Sequence, residues 1–358
     1  MSAGCVGVVR TCHAAVQEVA LAQSRVARTR GRVLSRAALL LAVTLLVPAR
    51  NAAAVIGHYT PGIANLRDFF QPPPGVYYTQ YNYVYLADTF RDRNGNVVDT
   101  ATIRGRTIPI DTNINLYAIS PMFVWAPDWK ILGARYAAYV ALSVANPSLQ
   151  AAIDDVEGDR RFEFESGSWG LGDTFVQPIW LQWTFPRVDL TAGYGFYAPT
   201  GRFELGANDN VGLGFWTQQV QSAVAFHFDE AKTLSLVGVQ TWQIPSRFQD
   251  QDLTPGARFD LNWGISKIWL GGMLETAALA YDTWQITNDH GSDVPAQFGG
   301  VKDQVHAAGV QLGMPKYGLQ VKYLREFGAV QRFQGSVVTL TFALPLDPLF
   351  ERLVGFAE

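Results

Sequence analysis

The hexapeptide NDHGSD, Asn288 to Asp293, gathers an amide, an imidazole, a hydroxyl and two carboxylates in one short stretch. Those groups could serve nucleophilic hydrolysis, in which a histidine within hydrogen-bond reach takes the serine proton and a third group orients the imidazole. His290 and Ser292 are only two residues apart in a glycine-containing stretch, a spacing that also makes a turn. Elsewhere catalytic chemistry is sparse. There is no HExxH pair, no GxSxG elbow and no Walker-type loop. The remaining histidines beyond the amino-terminal leader, His58, His227 and His306, are scattered. The triplet NDN at Asn208 to Asn210 offers hard oxygen ligands for a cation, although such residues in loops also form turns. No catalytic residue, cofactor or metal site is expected.

A second set of polar residues is defined by spacing. Arg258, Asp260 and Asn262 alternate with Phe259, Leu261 and Trp263; Gln219 and Gln221 alternate with Val220; Lys322 faces away from Val321 and Tyr323, as does Glu326. A period of two puts one apolar and one polar face on a strand. Strands are expected at residues 75–87, 112–125, 131–144, 174–185, 188–200, 212–228, 232–245, 256–269, 273–286, 303–314, 317–327 and 335–344. The connections after the even-numbered strands are short (APDWK, PR, DEA, LGG, PK). Those after the odd-numbered strands, the eleventh included, are expected to be longer and polar, among them RDRNGNVVDTATIRGRT and NPSLQAAIDDVEGDRRFEFESGSWG.

Loops sorted by parity are the pattern of a transmembrane antiparallel up-and-down β-barrel, whose short turns face the periplasm and whose long loops face outside. A soluble β-sandwich has no reason to sort its loops so, nor to place aromatics at strand ends, where Trp125, Trp129, Trp183, Phe185, Phe228 and Trp269 stand. The fold expected is an all-β barrel of about twelve strands spanning residues 75–344, with outer-membrane lipid around it. Its polar face would line a lumen, together with Tyr139 and Tyr197. Those residues either pair and fill the lumen, as in small barrels, or line a solute path.

Residues 1–54 read as a signal peptide: Arg30, Arg32 and Arg36, an apolar core from Ala37 to Val47, then small residues with cleavage after Ala54. That core is too short for a spanning helix, which needs about 20 residues. Both cysteines, Cys5 and Cys12, fall in this leader, so no disulfide is expected beyond it. Seven arginines and one glutamate also fall there, which leaves 21 basic and 30 acidic residues and a net charge of −9. Nucleic acid is a poor partner for such a chain.

Between leader and barrel lies GHYTPGIANLRDFFQPPPG, followed by YYTQYNYVYLAD, GLGDTFVQPIWLQW, GYGFYAPTGRFELGANDNVGLGFWT, WQITND and LREF. In this order the segments resemble the family of predicted outer-membrane proteins associated with phenol and aromatic meta-pathway degradation. The resemblance implies a barrel that passes small hydrophobic or aromatic compounds across the outer membrane of a Gram-negative bacterium, folded by periplasmic chaperones and the barrel assembly machinery. Outer-membrane hydrolases of the phospholipase type and adhesive barrels with packed lumens are the alternatives. Residues 55–74 then form a luminal plug or a periplasmic tether. Tyr59, Phe69 and Phe70 are too apolar for a solvated tether, so a plug is expected, stiffened by Pro61 and Pro72 to Pro74. Residues 345–358 would be a periplasmic tail.

Overall fold

The computed structural model describes residues 57–103, 106–154, 161–204, 210–294 and 299–347; the signal peptide and nearly all of the expected carboxy-terminal tail lie outside them. The barrel strands are β1 (Gly75–Arg91), β2 (Arg106–Ala126), β3 (Ala134–Ala141, resuming as Val144–Asp154) and β4 (Arg161–Gly167, Gly170–Leu171 and Thr174–Thr184). They continue through β5 (Val188–Ala198), β6 (Thr217–His227), β7 (Leu234–Pro245), β8 (Arg258–Trp269), β9 (Leu274–Gln285), β10 (Gln304–Met314), β11 (Leu319–Val330) and β12 (Arg332–Pro345). Each pairs antiparallel with its neighbours, and β12 returns to β1 in a register running from Tyr77 opposite Pro345 to Arg91 opposite Arg332. The sheet is therefore closed. Closure pairs the strand edges, as a lipid surround demands, because backbone groups there have no water to bond.

The alternation read in the sequence sets which face meets lipid. On β6, Val220, Val224 and Phe226 are exposed on the outer surface while Thr217, Gln219, Gln221 and His227 are buried inside. On β8, Trp263 and Ile265 are exposed and Arg258, Asp260, Asn262 and Ser266 are buried. An apolar exterior over a polar interior inverts a soluble protein and suits a bilayer. Around the short-turn end, Trp125, Trp129, Phe185, Phe228 and Trp269 are exposed. Trp125 and Trp129 meet edge to face at 4.9 Å, and the half-buried Trp183 donates its indole N–H to the Leu132 carbonyl at 3.1 Å. These rings form the interfacial girdle expected there.

Three connections differ from expectation. The stretch Asn146 to Gly170, read as a loop, instead carries β3 and β4 onward, with Ser148 to Asp154 paired to Gly167 to Arg161. Within the connection after β1, a short strand Thr100–Ile103 pairs back on the start of β2. Both are hairpins beyond the apolar band, where no lipid enforces an apolar face. The connection from β11 to β12 is not long: it turns at Gln331 alone, with φ of 55°. The ladder between the two strands ends at Arg325 opposite Ser336, and just beyond it the Gly335 N–H donates to Glu326 Oε2 at 2.7 Å.

Candidate functional site

The segment from Gly57 to Pro74 is bonded to lumen-facing groups along its length. Near the external ends of β7 and β8, the Tyr59 N–H donates to Gln243 Oε1 and the Gly62 N–H to Asn262 Oδ1, both at 2.9 Å. Asn262 Nδ2 in turn donates to the Tyr59 hydroxyl at 2.9 Å. Gly62 turns with φ of 74°, where a Cβ would lie 2.9 Å from both Leu324 and Tyr281, so no other residue fits. Further along, Lys322 Nζ donates to the Ala64 carbonyl at 2.8 Å and to that of Ile63 at 3.3 Å.

At the periplasmic end, Arg67 Nε reaches Ser266 Oγ and Glu275 Oε1, both at 3.0 Å. Its terminal nitrogens donate to the carbonyls of Lys232 and Thr233 in the turn after β6 and to Ser235. The Tyr81 hydroxyl donates to Asp68 at 2.9 Å. Gln71 bonds Gln182 through its N–H and the Trp180 carbonyl through its side chain, while Arg135 donates to the carbonyls of Gln71 and Pro72. The chain then enters β1 at Gly75.

Between this segment and a wall formed mainly by β1 to β6 lies a chamber of about 390 Å³. Tyr83, Leu116, Met122, Phe175, Trp180 and Tyr197 are typical of its lining, with Tyr59 and Phe69 on the segment side. The rings pack on one another: Phe175 lies 4.4 Å from Tyr197, and Tyr139 meets Trp180 edge to face at 5.6 Å. The Tyr139 hydroxyl is turned to Gln177 Oε1 at 3.0 Å, so the ring rather than the hydroxyl faces the space. A partly open space of this size, lined mostly by apolar groups with Asp68, Glu326 and Arg332 among the polar ones, accommodates small, largely apolar molecules.

The chamber divides the residues expected to line a path. Tyr59, Phe69, Tyr139, Tyr197, Gln219, Gln221 and Glu326 line it; Phe70 packs against the buried wall outside that lining. Arg258, Asp260, Asn262 and Lys322 also lie outside it, in polar contacts that fill the rest of the lumen. Arg258 grips Asp303 with two bonds at 2.6 and 2.5 Å. Asp260 accepts from Gln243 at 2.7 Å and from the Thr283 hydroxyl. Glu326 accepts from the hydroxyls of Tyr85 and Tyr281 at 2.8 and 2.7 Å. Sequence reasoning missed Tyr81, Tyr83 and Tyr85 on β1, all buried inside. The signal was present, since tyrosine recurs at every second position there.

NDHGSD forms no serine–histidine pair of the hydrolytic kind. Ser292 instead donates its hydroxyl and its N–H to Asp252 Oδ2, at 2.9 and 3.0 Å, and the His290 backbone bridges to Thr254. The two bonds from Ser292 hold the Asp252 carboxyl below its ordinary pKa. Of the NDN triplet only Asn210 is among the described residues, and its side chain pairs with both backbone groups of Glu204 at 2.8 Å.

A closed twelve-stranded barrel with an apolar outer band, a girdle of aromatics and a polar lumen is an outer-membrane protein. The chain belongs to the family described as "Putative MetA-pathway of phenol degradation", whose sequence profile matches residues 87–342. Its fold is shared with an outer membrane channel from Pseudomonas putida F1, at a TM-score of 0.54 and 14% identity, over 80% of this chain and 99% of that one. The β domain of a Bordetella autotransporter aligns over 75% of this chain and 99% of its own, at a TM-score of 0.36 and 12% identity, too distant to add to the comparison. A search of curated protein sequences finds no match.

Proposed function

We propose that this protein is a passive outer-membrane channel for small hydrophobic or aromatic compounds, with residues 57–74 as its luminal gate. The observation that carries the reading is the chamber of about 390 Å³ with its aromatic and aliphatic lining, set against a segment held by separable polar bonds. The description of the family, which names phenol degradation, and the channel identity of the Pseudomonas putida relative support it. On this reading the leader directs export, the lipid-facing band meets the bilayer, and assembly depends on periplasmic chaperones and the barrel assembly machinery. Catalysis is not part of this reading, and the hydroxyl of Ser292 donates to Asp252 rather than to His290.

The test is deletion of residues 57–70, which leaves the leader and β1 intact. In planar bilayers the shortened protein should conduct small ions several-fold better than the full chain. Equal conductance would mean that the segment does not gate the lumen.

A further inference from the structure

His58 and Asp173 meet at 2.8 Å, through Nε2 and Oδ2, with side chains only 3% and 2% exposed. His58 belongs to the luminal segment, one residue before Tyr59. Asp173 stands in the gap between Gly170–Leu171 and Thr174–Thr184, where the β4 strand is interrupted. The same carboxylate takes the backbone N–H of Gly201 at 2.8 Å and of Leu213 at 2.7 Å. Those two residues belong to the external connection between β5 and β6. One buried carboxylate thus joins three parts of the molecule: luminal segment, barrel wall and external loop.

The imidazole is held as closely as its partner. Nδ1 lies 2.8 Å from the Thr217 hydroxyl at the start of β6, the ring stacks on Tyr197 at 4.7 Å, and the edge of Phe215 closes it from the side at 4.9 Å. The loop base has no slack either. A Cβ on Gly201 would lie 2.7 Å from the Gly212 Cα and 2.6 Å from the Gly172 carbonyl carbon.

We propose that the His58–Asp173 contact couples the external loop to the luminal segment, so that release of either loosens the other, and that His58 is a positioning residue of the gate. The physical reason is desolvation. Asp173 is stabilised by donors from two separate units, and losing His58 leaves a buried carboxylate short of partners. It then relaxes by turning towards water, which withdraws it from Gly201 and Leu213. Displacing the loop has the converse effect on His58, because coupling between two sites is reciprocal. This inference rests on the gate reading for its consequence on flux, but the coupling itself is read by labelling and cleavage, independently of flux.

The experiment uses the full chain in outer-membrane vesicles. Both cysteines lie at positions 5 and 12, so Thr60→Cys supplies a reporter thiol on the chamber side of the segment, read with an externally added maleimide. Tryptic cleavage at Arg202 reports on the loop. His58→Ala should raise the rate of cleavage at Arg202 about tenfold, and Gly201→Ala should raise labelling at position 60 by a similar factor, the usual range of coupling between sites. His58→Gln, which keeps a donor for Asp173, should restore the slow rates. All variants are compared as barrels that retain the heat-dependent gel shift. If His58→Ala yields none, His58→Phe keeps the ring packing while removing the bond, with the same rise expected. Cleavage at Arg202 unchanged by loss of the bond, or labelling at position 60 unchanged by Gly201→Ala, would overturn the coupling. Failure of the gate reading alone would appear instead as unaltered conductance after deletion of residues 57–70.

Discussion

Arg67 shows how one residue fixes a segment that has no secondary structure of its own. Its guanidinium meets Glu275, whose side chain is 1% exposed, and the main chain of the turn after β6. Removing it strands a buried carboxylate, and breaking a buried pair in this way costs about 3–5 kcal/mol. Arg67→Ala should therefore lower the temperature of the heat-dependent gel shift, and Arg67→Ala with Glu275→Gln should recover part of the loss, because the second change removes the stranded charge. No recovery would mean that the pair is not what Arg67 contributes. At this scale the sequence was legible where spacing is local. Arg258, Asp260 and Asn262 alternate with large apolar residues, and their inward direction follows from that period alone. Their partners do not. Asp303 lies 45 residues from Arg258, and Asp173 lies 115 residues from His58, so no local pattern could bring them together.

Short turns are the elements that hold the periplasmic rim, and the turn after β6 has a titratable pin. Asp229 accepts the Thr233 hydroxyl at 2.6 Å and the N–H groups of Thr233 and Leu234 at 3.2 and 2.8 Å. These bonds, the Thr233 hydroxyl foremost, lower its pKa from 3.8 to about 2. A carboxyl lowered in the folded state adds stability above its ordinary value and loses that contribution as pH falls through the folded one. Amide protection at Thr233 and Leu234 should accordingly be full above pH 4 and decline towards pH 2, while Asp229→Asn should be less protected with no such transition. Protection that is equal in the two proteins at pH 6 would remove the pin. The twelve strands were legible in position, although β2, β4 and β7 alternate poorly in the sequence, but the lengths of β2, β3 and β4 were not. Their outer parts stand clear of the apolar band, where strands lose the one-sided pattern that lipid imposes. The alternation of phenylalanine and glutamate in RFEFES was the remaining signal of a strand. The turn at Gln331 escaped notice because its residues resemble those of a longer loop.

Over the whole molecule, the closed wall satisfies the backbone in lipid and the polar contacts of Arg258, Asp260 and Lys322 fill one part of the lumen. The luminal segment leaves a mainly apolar chamber against β1 to β6 in the other part. This asymmetry underlies the proposed preference for apolar over charged solutes, and composition alone could not reveal it, since the same residues could have filled the lumen throughout. The most direct measurement is entry of the apolar dye N-phenyl-1-naphthylamine into vesicles with a lipopolysaccharide outer leaflet, comparing the full chain with Ala118→Trp. Ala118 lines the chamber, and a tryptophan there fills space without touching the polar contacts that hold the segment. Dye entry should be faster with the unaltered protein, and should fall to the protein-free rate with a correctly folded Ala118→Trp barrel. Dye entry at the protein-free rate with both, or equally fast with both, would contradict the proposal.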